Sequence, residues 1–163
     1  MTDLYSELLI KKEQTGKDKA IKILMIAAIA ITAAAGLLIP IAWILTLALG
    51  IAAYFILPKL DLEYEYVFVN GDLDIDKIMN KARRKRMFSV DADQMELLAP
   101  VGAVELMQYK KVRTYDYTSG KNHAEIYALI ASNKGELCKV LFEPNETIIE
   151  GFFVKAPRKV IRK

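Results

Sequence analysis

Between Lys22 and Lys59 the chain carries no charged residue, and this uncharged run, Ile23 to Leu57, constrains the fold more than any other feature. Its 35 residues would make a continuous helix roughly 52 Å long, against a bilayer hydrocarbon core of about 30 Å. A single span would be badly mismatched, whereas two spans of about 17 residues each fit. Local chemistry places the turn between them. Gly36 tolerates unusual backbone angles, and Pro40 removes a donor and disfavours helix at Ile39. The sequence therefore predicts one helix over about 20–38, a tight turn at Gly36–Pro40, and a second helix over about 41–57 that Pro58 ends. A cleavable signal peptide fits less well, because the apolar stretch begins more than twenty residues in and is about twice the length of an h-region.

Only Thr32, Thr46 and Tyr54 bring hydroxyls into the run, and it holds no Asp, Glu, Lys, Arg or His. It thus lacks a proton relay or ion-coupling group and reads as an anchor. Small residues on the first helix (Ala27, Ala30, Ala34) permit close approach to the second. Trp43 and Tyr54 are candidate interface anchors, and Lys22 and Lys59 sit where snorkelling amines belong. Lys11, Lys12, Lys17, Lys19 and Lys22 precede the hairpin and Lys59 follows it, while the turn has no lysine or arginine. The positive-inside rule then puts both termini in the cytoplasm of a two-span protein of the cell membrane.

The expected organisation is a cytoplasmic segment at 1–19, the hairpin at 20–58, and a cytoplasmic domain at 59–163. The first segment contains an amphipathic start (Leu4, Tyr5, Leu8, Leu9) that could pack on the membrane or on the domain. In the last, Leu62, Tyr64, Tyr66 and Phe68 alternate with polar neighbours, and Asn70-Gly71 signals a tight hairpin into Leu73 and Ile75. Further strands are expected at Arg84–Val90, Ala124–Ala131 and Leu137–Phe142, with a turn at Asn133-Lys134-Gly135, and Met95–Ala99 is another short apolar piece, ended by Pro100. Glu143-Pro144-Asn145-Glu146 opens a helix that carries Ile148, Ile149, Phe152 and Phe153 on one side, tolerates Gly151, and stops by Pro157. The fold class is therefore α+β: a helical hairpin, then a small antiparallel β-barrel closed by a C-terminal helix.

On these residues the chain resembles a family of uncharacterised bacterial membrane proteins. The likeness rests on the hairpin followed by Tyr64-Glu65-Tyr66, Asn70-Gly71-Asp72-Leu73-Asp74-Ile75, the basic strand Arg83-Arg84-Lys85-Arg86, and Glu96-Leu97-Leu98-Ala99-Pro100. Their cytoplasmic part is similar to bacterial pleckstrin-homology-like (PH-like) domains. The resemblance implies a PH-like barrel and transfers no catalytic residue.

Composition excludes several chemistries. One cysteine and one histidine rule out an internal disulfide, a CxxC redox pair and an ordinary zinc site. Asp72, Asp74 and Asp76 have the spacing of a calcium loop, but its glycine is replaced by Lys77 and its closing glutamate by Arg83. His123 has no Ser or Cys nearby in sequence, and Cys138 sits in an apolar strand pattern, where a free cysteine behaves as a small hydrophobe. No phosphate loop or hydrolase motif occurs. The expectation is a protein without enzymatic activity and without a cofactor.

Two basic runs stand above this background: Lys81, Arg83, Arg84, Lys85 and Arg86, and at the tail Lys155, Arg158, Lys159, Arg162 and Lys163. They suit anionic lipid headgroups, since each Lys or Arg near such a surface gains on the order of 1 kcal/mol. A net charge of +3 and the lack of aromatics between the basic residues argue against nucleic acid. The expected partners are thus the bilayer itself, an unidentified membrane or cytoplasmic protein held near it, and, as the alternative role, anionic lipids read by the basic strand and tail.

Overall fold

In the computed structural model, residues 4–133 and 135–162 are described. Two of the residues singled out above, Lys134 and Lys163, lie outside them. The chain opens with strand β1 (Tyr5–Lys11), followed by helices α1 (Gly16–Gly36) and α2 (Ala42–Leu60). Strands β2 (Leu62–Val69), β3 (Asp72–Met79), β4 (Arg83–Asp91) and β5 (Met95–Pro100) follow. A 3-10 helix (Val104–Tyr109) then leads to β6 (Arg113–Asp116), β7 (Tyr127–Asn133), β8 (Glu136–Phe142) and helix α3 (Glu146–Lys155).

The strands form two four-stranded sheets, ordered β1-β2-β3-β4 and β5-β7-β8-β6. No ladder joins the sheets among the described residues, so two stacked sheets stand where the sequence led us to expect a closed barrel, and the outer edge of β5 is met by the segment around Val160. Their inner faces meet in one core, which Tyr66, Phe68 and Ile75 enter from the first sheet and Leu129, Val140 and Phe142 from the second. Helix α3 closes one side of it with the buried Ile148 and Phe152. Its start follows from sequence: the Asn145 side chain accepts from the backbone N–H of Ile148 at 3.0 Å, relieving an orphan donor of the first turn.

The N-terminal segment belongs to this domain. Strand β1 pairs antiparallel with β2, Leu8 opposite Tyr66 and Lys11 opposite Glu63. Its period is that of a strand: Leu4, Leu8 and Ile10 pack on the core, while Tyr5 and Leu9 point outward. The Asn145 amide also reaches back to the hydroxyl of Ser6, at 2.9 Å. The hairpin is therefore an insertion between two neighbouring strands, where the sequence suggested a separate segment at 1–19, the hairpin, and then a domain at 59–163. Its ends are close because β1 and β2 are adjacent.

Helix α1 starts four residues earlier than the apolar pattern predicts. Thr15 and Asp18 form a capping box that satisfies two orphan donors reciprocally. Helix α2 continues through Pro58 to Leu60 instead of ending there. Proline deletes only one hydrogen bond, and so near the terminus the helix needs few further bonds beyond it. At 1.5 Å per residue the two helices span roughly 31 and 28 Å. Both are long and apolar enough to cross a membrane, and only 6% of each apolar window is buried. A core helix of a soluble domain would hide that surface. The indole of Trp43 lies against Gly36, where any Cβ would meet it at 2.9 Å, so Trp43 closes the turn onto α1. Thr32 and Thr46 turn their hydroxyls back to the carbonyls of Ala28 and Ala42, leaving neither unpaired in an apolar setting.

Between β5 and α3 the order departs most from the sequence pattern. Strand β6 lies parallel to β8, Arg113 opposite Cys138, and its other edge is free. Strand β7 begins at Tyr127, three residues later than expected. The 3-10 helix lays Leu106 over a second small core of Leu97, Ala99 and Ile130 on the outer face of the second sheet.

Candidate functional site

The basic run on β4 does not form a single surface. Strand alternation sends Arg84 and Arg86 to one face of the first sheet and Arg83 and Lys85 to the other. Arg84 lies 2.6 Å from the Glu65 carboxylate and 3.9 Å from Asp76. Arg86 lies 2.9 Å from Asp74 and 3.4 Å from Asp76. The aspartates with calcium-like spacing are thus partly committed to arginines, and the ion pairs knit β2, β3 and β4 together across the outer face. A bulge at Met87, between the pairs Ile75–Phe88 and Asp76–Arg86, sets this register.

Of the remaining basic residues, Arg83 stands 5.9 Å over the ring of Tyr54. Lys85 faces Lys77 on the adjacent strand. Lys81 is exposed at the turn with φ of 55°. Lys155 ends α3 and packs its stem near Gly71. Lys159 donates to the carbonyl of Asp93, and Arg162 lies 3.7 Å over Phe153 while pairing with Glu150 at 3.1 Å. Arg158 is exposed without a partner among the described residues.

Glu65 and Asp76 are 4% and 5% exposed although they lie on the outer face. The guanidinium of Arg84 lies against both of them and that of Arg86 against Asp76. Burial pushes the Glu65 carboxyl above its usual value, Arg84 pulls it down, and Glu7 and Asp76 add to the rise. A raised carboxyl holds its proton more readily folded than unfolded, so its contribution to stability falls as pH rises through the folded value. Arg84→Gln removes the opposing charge and is expected to cost about 1–2 kcal/mol near pH 8, less than for a fully buried pair because Arg84 is itself more than half exposed. That deficit should shrink as pH falls from above the raised value toward the ordinary glutamate range near 4.3. Urea titrations of both chains at pH 5 and pH 8 check this, and a deficit that grows at low pH would contradict it.

Among the described residues, the two sequence candidates for nucleophilic chemistry, Cys138 and His123, lie apart from each other. Cys138 is buried in the core on β8, its Sγ 3.4 Å from the carbonyl of Ala131, and burial raises its thiol above the usual range. His123 lines a separate surface hollow with Glu13, Lys121 and Glu143. In the folded chain Cys138 should resist an aromatic disulfide reagent at pH 8 and react fully in denaturant. Rapid native reaction would show that the core opens locally.

Two hollows draw on residues that the sequence reading did not assign to a site. One, of about 350 Å³, runs beside the 3-10 helix on the outer face of the second sheet. Its floor includes Thr114, Ala128 and Leu141, its wall Leu106 and Met107, and its rim Lys110 and Lys139. Nearby, Val101, Val104 and Met107 are 54, 72 and 60% exposed. The other, of about 460 Å³, lies at the root of the hairpin among Lys11, Lys12, Lys19, Lys22 and Lys121, with Glu13, Gln14 and Asp61. The available signal was the lysine run from Lys11 to Lys22, ahead of the uncharged stretch, which the sequence reading used only for orientation.

Two facing sheets, the first antiparallel and the second mixed, with a C-terminal helix packed on their shared core and two exposed helices long and apolar enough to cross a membrane, make an α+β domain of the PH-like class. The chain belongs to the family of bacterial PH-like domains designated DUF6106, which matches residues 2–162. The matched span includes β1, the whole hairpin and the strands beyond it, in keeping with a domain that begins before its own insertion. Neither curated proteins nor solved structures give a match to the chain.

Proposed function

We propose that this protein is a non-catalytic, membrane-anchored interaction module. Its hairpin crosses the cell membrane twice, both termini and the PH-like domain stay on the cytoplasmic face, and the domain holds a protein partner there. The insertion of the hairpin between β1 and β2 carries this reading. Each helix joins a strand of the same sheet, α1 through Lys12–Thr15 and α2 through Asp61 alone, so the domain is attached close to the bilayer in a restricted orientation. The lysines gather at this end of the helices, and the α1–α2 turn has none, as the positive-inside rule requires.

The groove beside the 3-10 helix is the partner surface of this reading. Its apolar wall and lysine rim suit an apolar side chain flanked by carboxylates. A photo-crosslinker at Met107 of the full chain, activated in native membranes, should give one defined protein adduct that persists in high salt, whereas a crosslinker at Arg158 should not. Adducts with lipid or self alone would remove the interaction module. Orientation is checked with Asn122→Cys, an exposed site on the domain, and Leu38→Cys in the helical turn. An impermeant thiol reagent on intact cells should label Leu38→Cys only. Labelling of Asn122→Cys would invert the topology.

The alternative reading, a reader of anionic lipid through the basic strand and tail, loses part of its support. Arg84, Arg86 and Arg162 are already paired with carboxylates of the same domain. Charge reversal at Arg84 and Arg86 would break the sheet's own ion pairs, so Lys155 and Arg158 are the cleaner positions at which to test it.

A further inference from the structure

We infer that the hollow at the root of the hairpin is a binding site for a phosphate-bearing anion, with the headgroup of an anionic phospholipid as its source. The inference rests on the membrane reading above but uses none of the residues of the basic strand or tail. The hollow draws its lysines from three places: Lys11 and Lys12 at the end of β1, Lys19 and Lys22 in the first turns of α1, and Lys121 in the loop between β6 and β7. Distant segments of the chain are thus brought around one space whose volume falls within the range of small-molecule sites.

Its walls are held by the domain. The backbone N–H of Lys12 donates to the carbonyl of Leu62 at 2.9 Å, and that of Glu13 to the carbonyl of the buried Ser119 at 2.7 Å. The N–H of Lys121 donates to the Ser119 hydroxyl at 3.2 Å, and that of Ser119 to the Glu143 carboxylate at 2.6 Å. The lysine-bearing segments are therefore tied to each other before any ligand arrives.

The charge inside is unbalanced. Asp61 is ion-paired with Lys11 at 3.4 Å, its Oδ1 buried without a hydrogen bond. The carboxylate nearest in sequence to Lys17 and Lys19 is Asp18, and it is spent on the α1 cap, 2.7 Å from the Thr15 hydroxyl and 2.9 Å from the Thr15 N–H. Lys12 acts on the Asp18 carboxylate through its charge, whereas Lys19, Lys22 and Lys121 form no ion pair with a carboxylate among the described residues, and Glu13 is the one further acid in the lining. Four like charges around one hollow repel, and an anion with several acceptor oxygens relieves that repulsion while taking several N–H donors at once. Position selects the source. Lys22 is the last charge before the uncharged run, which sets this hollow at headgroup level once the hairpin is inserted.

The test uses the full-length chain purified in neutral detergent, with dioleoyl phosphatidylglycerol, dioleoyl phosphatidylcholine or inorganic phosphate added in separate arms. Retained lipid is read by native mass spectrometry and stability by the thermal midpoint. Phosphatidylglycerol should be retained and should raise the midpoint, and phosphatidylcholine at equal mole fraction should do neither. The triple change Lys12→Gln, Lys19→Gln, Lys22→Gln should lower phosphatidylglycerol retention by about tenfold or more. Lys121→Gln, which leaves the helix untouched, should lower it in the same direction, and Lys155→Gln with Arg158→Gln should not. Equal retention of the two lipids, or retention that both lysine variants leave intact, would overturn the inference. If inorganic phosphate raises the midpoint and displaces the lipid, the site stands and its source is free phosphate. Alkaline extraction of membranes from the same cells separates the two readings. A chain released by alkali refutes the anchor, whereas a chain that stays but shows no lipid selectivity refutes only the hollow.

Discussion

Gly151→Val is expected to destabilise the domain by about 3 kcal/mol or more, and Gly151→Ala by roughly 1–3 kcal/mol, although both replace the poorest ordinary helix former. Gly151 is buried in α3, and a Cβ built there runs into the ring of Phe68. That ring cannot retreat easily. Phe68 is fully buried, sits edge-on to Phe152 with centroids 4.9 Å apart, and lies on β2 between its partners β1 and β3. Helix propensity alone predicts a gain of up to about 1 kcal/mol for alanine, so the sign of the change decides between the two effects. Urea unfolding of the full chain in neutral detergent, followed by exposure of the Cys138 thiol, gives that sign. A stabilised Gly151→Ala would mean that α3 stands further from the sheet than its contacts indicate. Against a typical total stability of 5–15 kcal/mol, the valine change alone removes a large share.

Ile51→Arg, near the middle of α2, should abolish stable membrane insertion. The helix has nine Leu, Ile and Phe residues, each worth about −0.3 to −0.6 kcal/mol at mid-membrane, so its apolar drive is roughly −3 to −5 kcal/mol. One arginine at the centre costs about 2.5–3.5 kcal/mol and cancels most of this. No carboxylate lies in either helix between Lys22 and Lys59 to pair with the new charge. The variant should move from the alkali-resistant membrane fraction to the extracted or degraded fraction, whereas Ile51→Leu should behave as the parent. Unchanged fractionation of Ile51→Arg would contradict α2 as a span, and would leave its exposed apolar surface to be covered by another protein.

Much of the fold was legible because its causes are local. The uncharged run, the Gly36–Pro40 turn, the alternation from Leu62 to Phe68, the Asn70-Gly71 reversal and the helix start at Glu143–Glu146 each depend on residues a few positions apart, and each lies where the sequence indicates. The failures have a common physical source. Whether Tyr5–Lys11 makes a strand depends on an edge of β2 that is more than fifty residues away. Leu4, Leu8 and Leu9 fit a helical stripe on the page, and pairing with β2 decided the period. Strand β6 has only four residues and lies parallel to its neighbour, so neither its own pattern nor a short turn announces it. Barrel closure is likewise a matter of how two sheets meet at their edges, which no strand encodes by itself.

The basic residues make the same point for function. Sequence counts charges, and five positive residues between Lys81 and Arg86 looked like one patch. Strand alternation splits them, and the carboxylates of β2 and β3 neutralise two. Meanwhile Lys12, Lys19, Lys22 and Lys121, drawn from distant parts of the domain's sequence, line one hollow. By itself, then, the sequence determined that this chain carries two membrane-length apolar helices and a strand-rich domain ending in a capped helix, because hydropathy and short-range hydrogen bonding act within a few residues. Only the tertiary structure decided that the hairpin interrupts a sheet and which of the cations are paired with carboxylates. Charge is neutralised by whatever lies within a few ångströms in space, and that neighbour is chosen by the fold and not by the order of the chain.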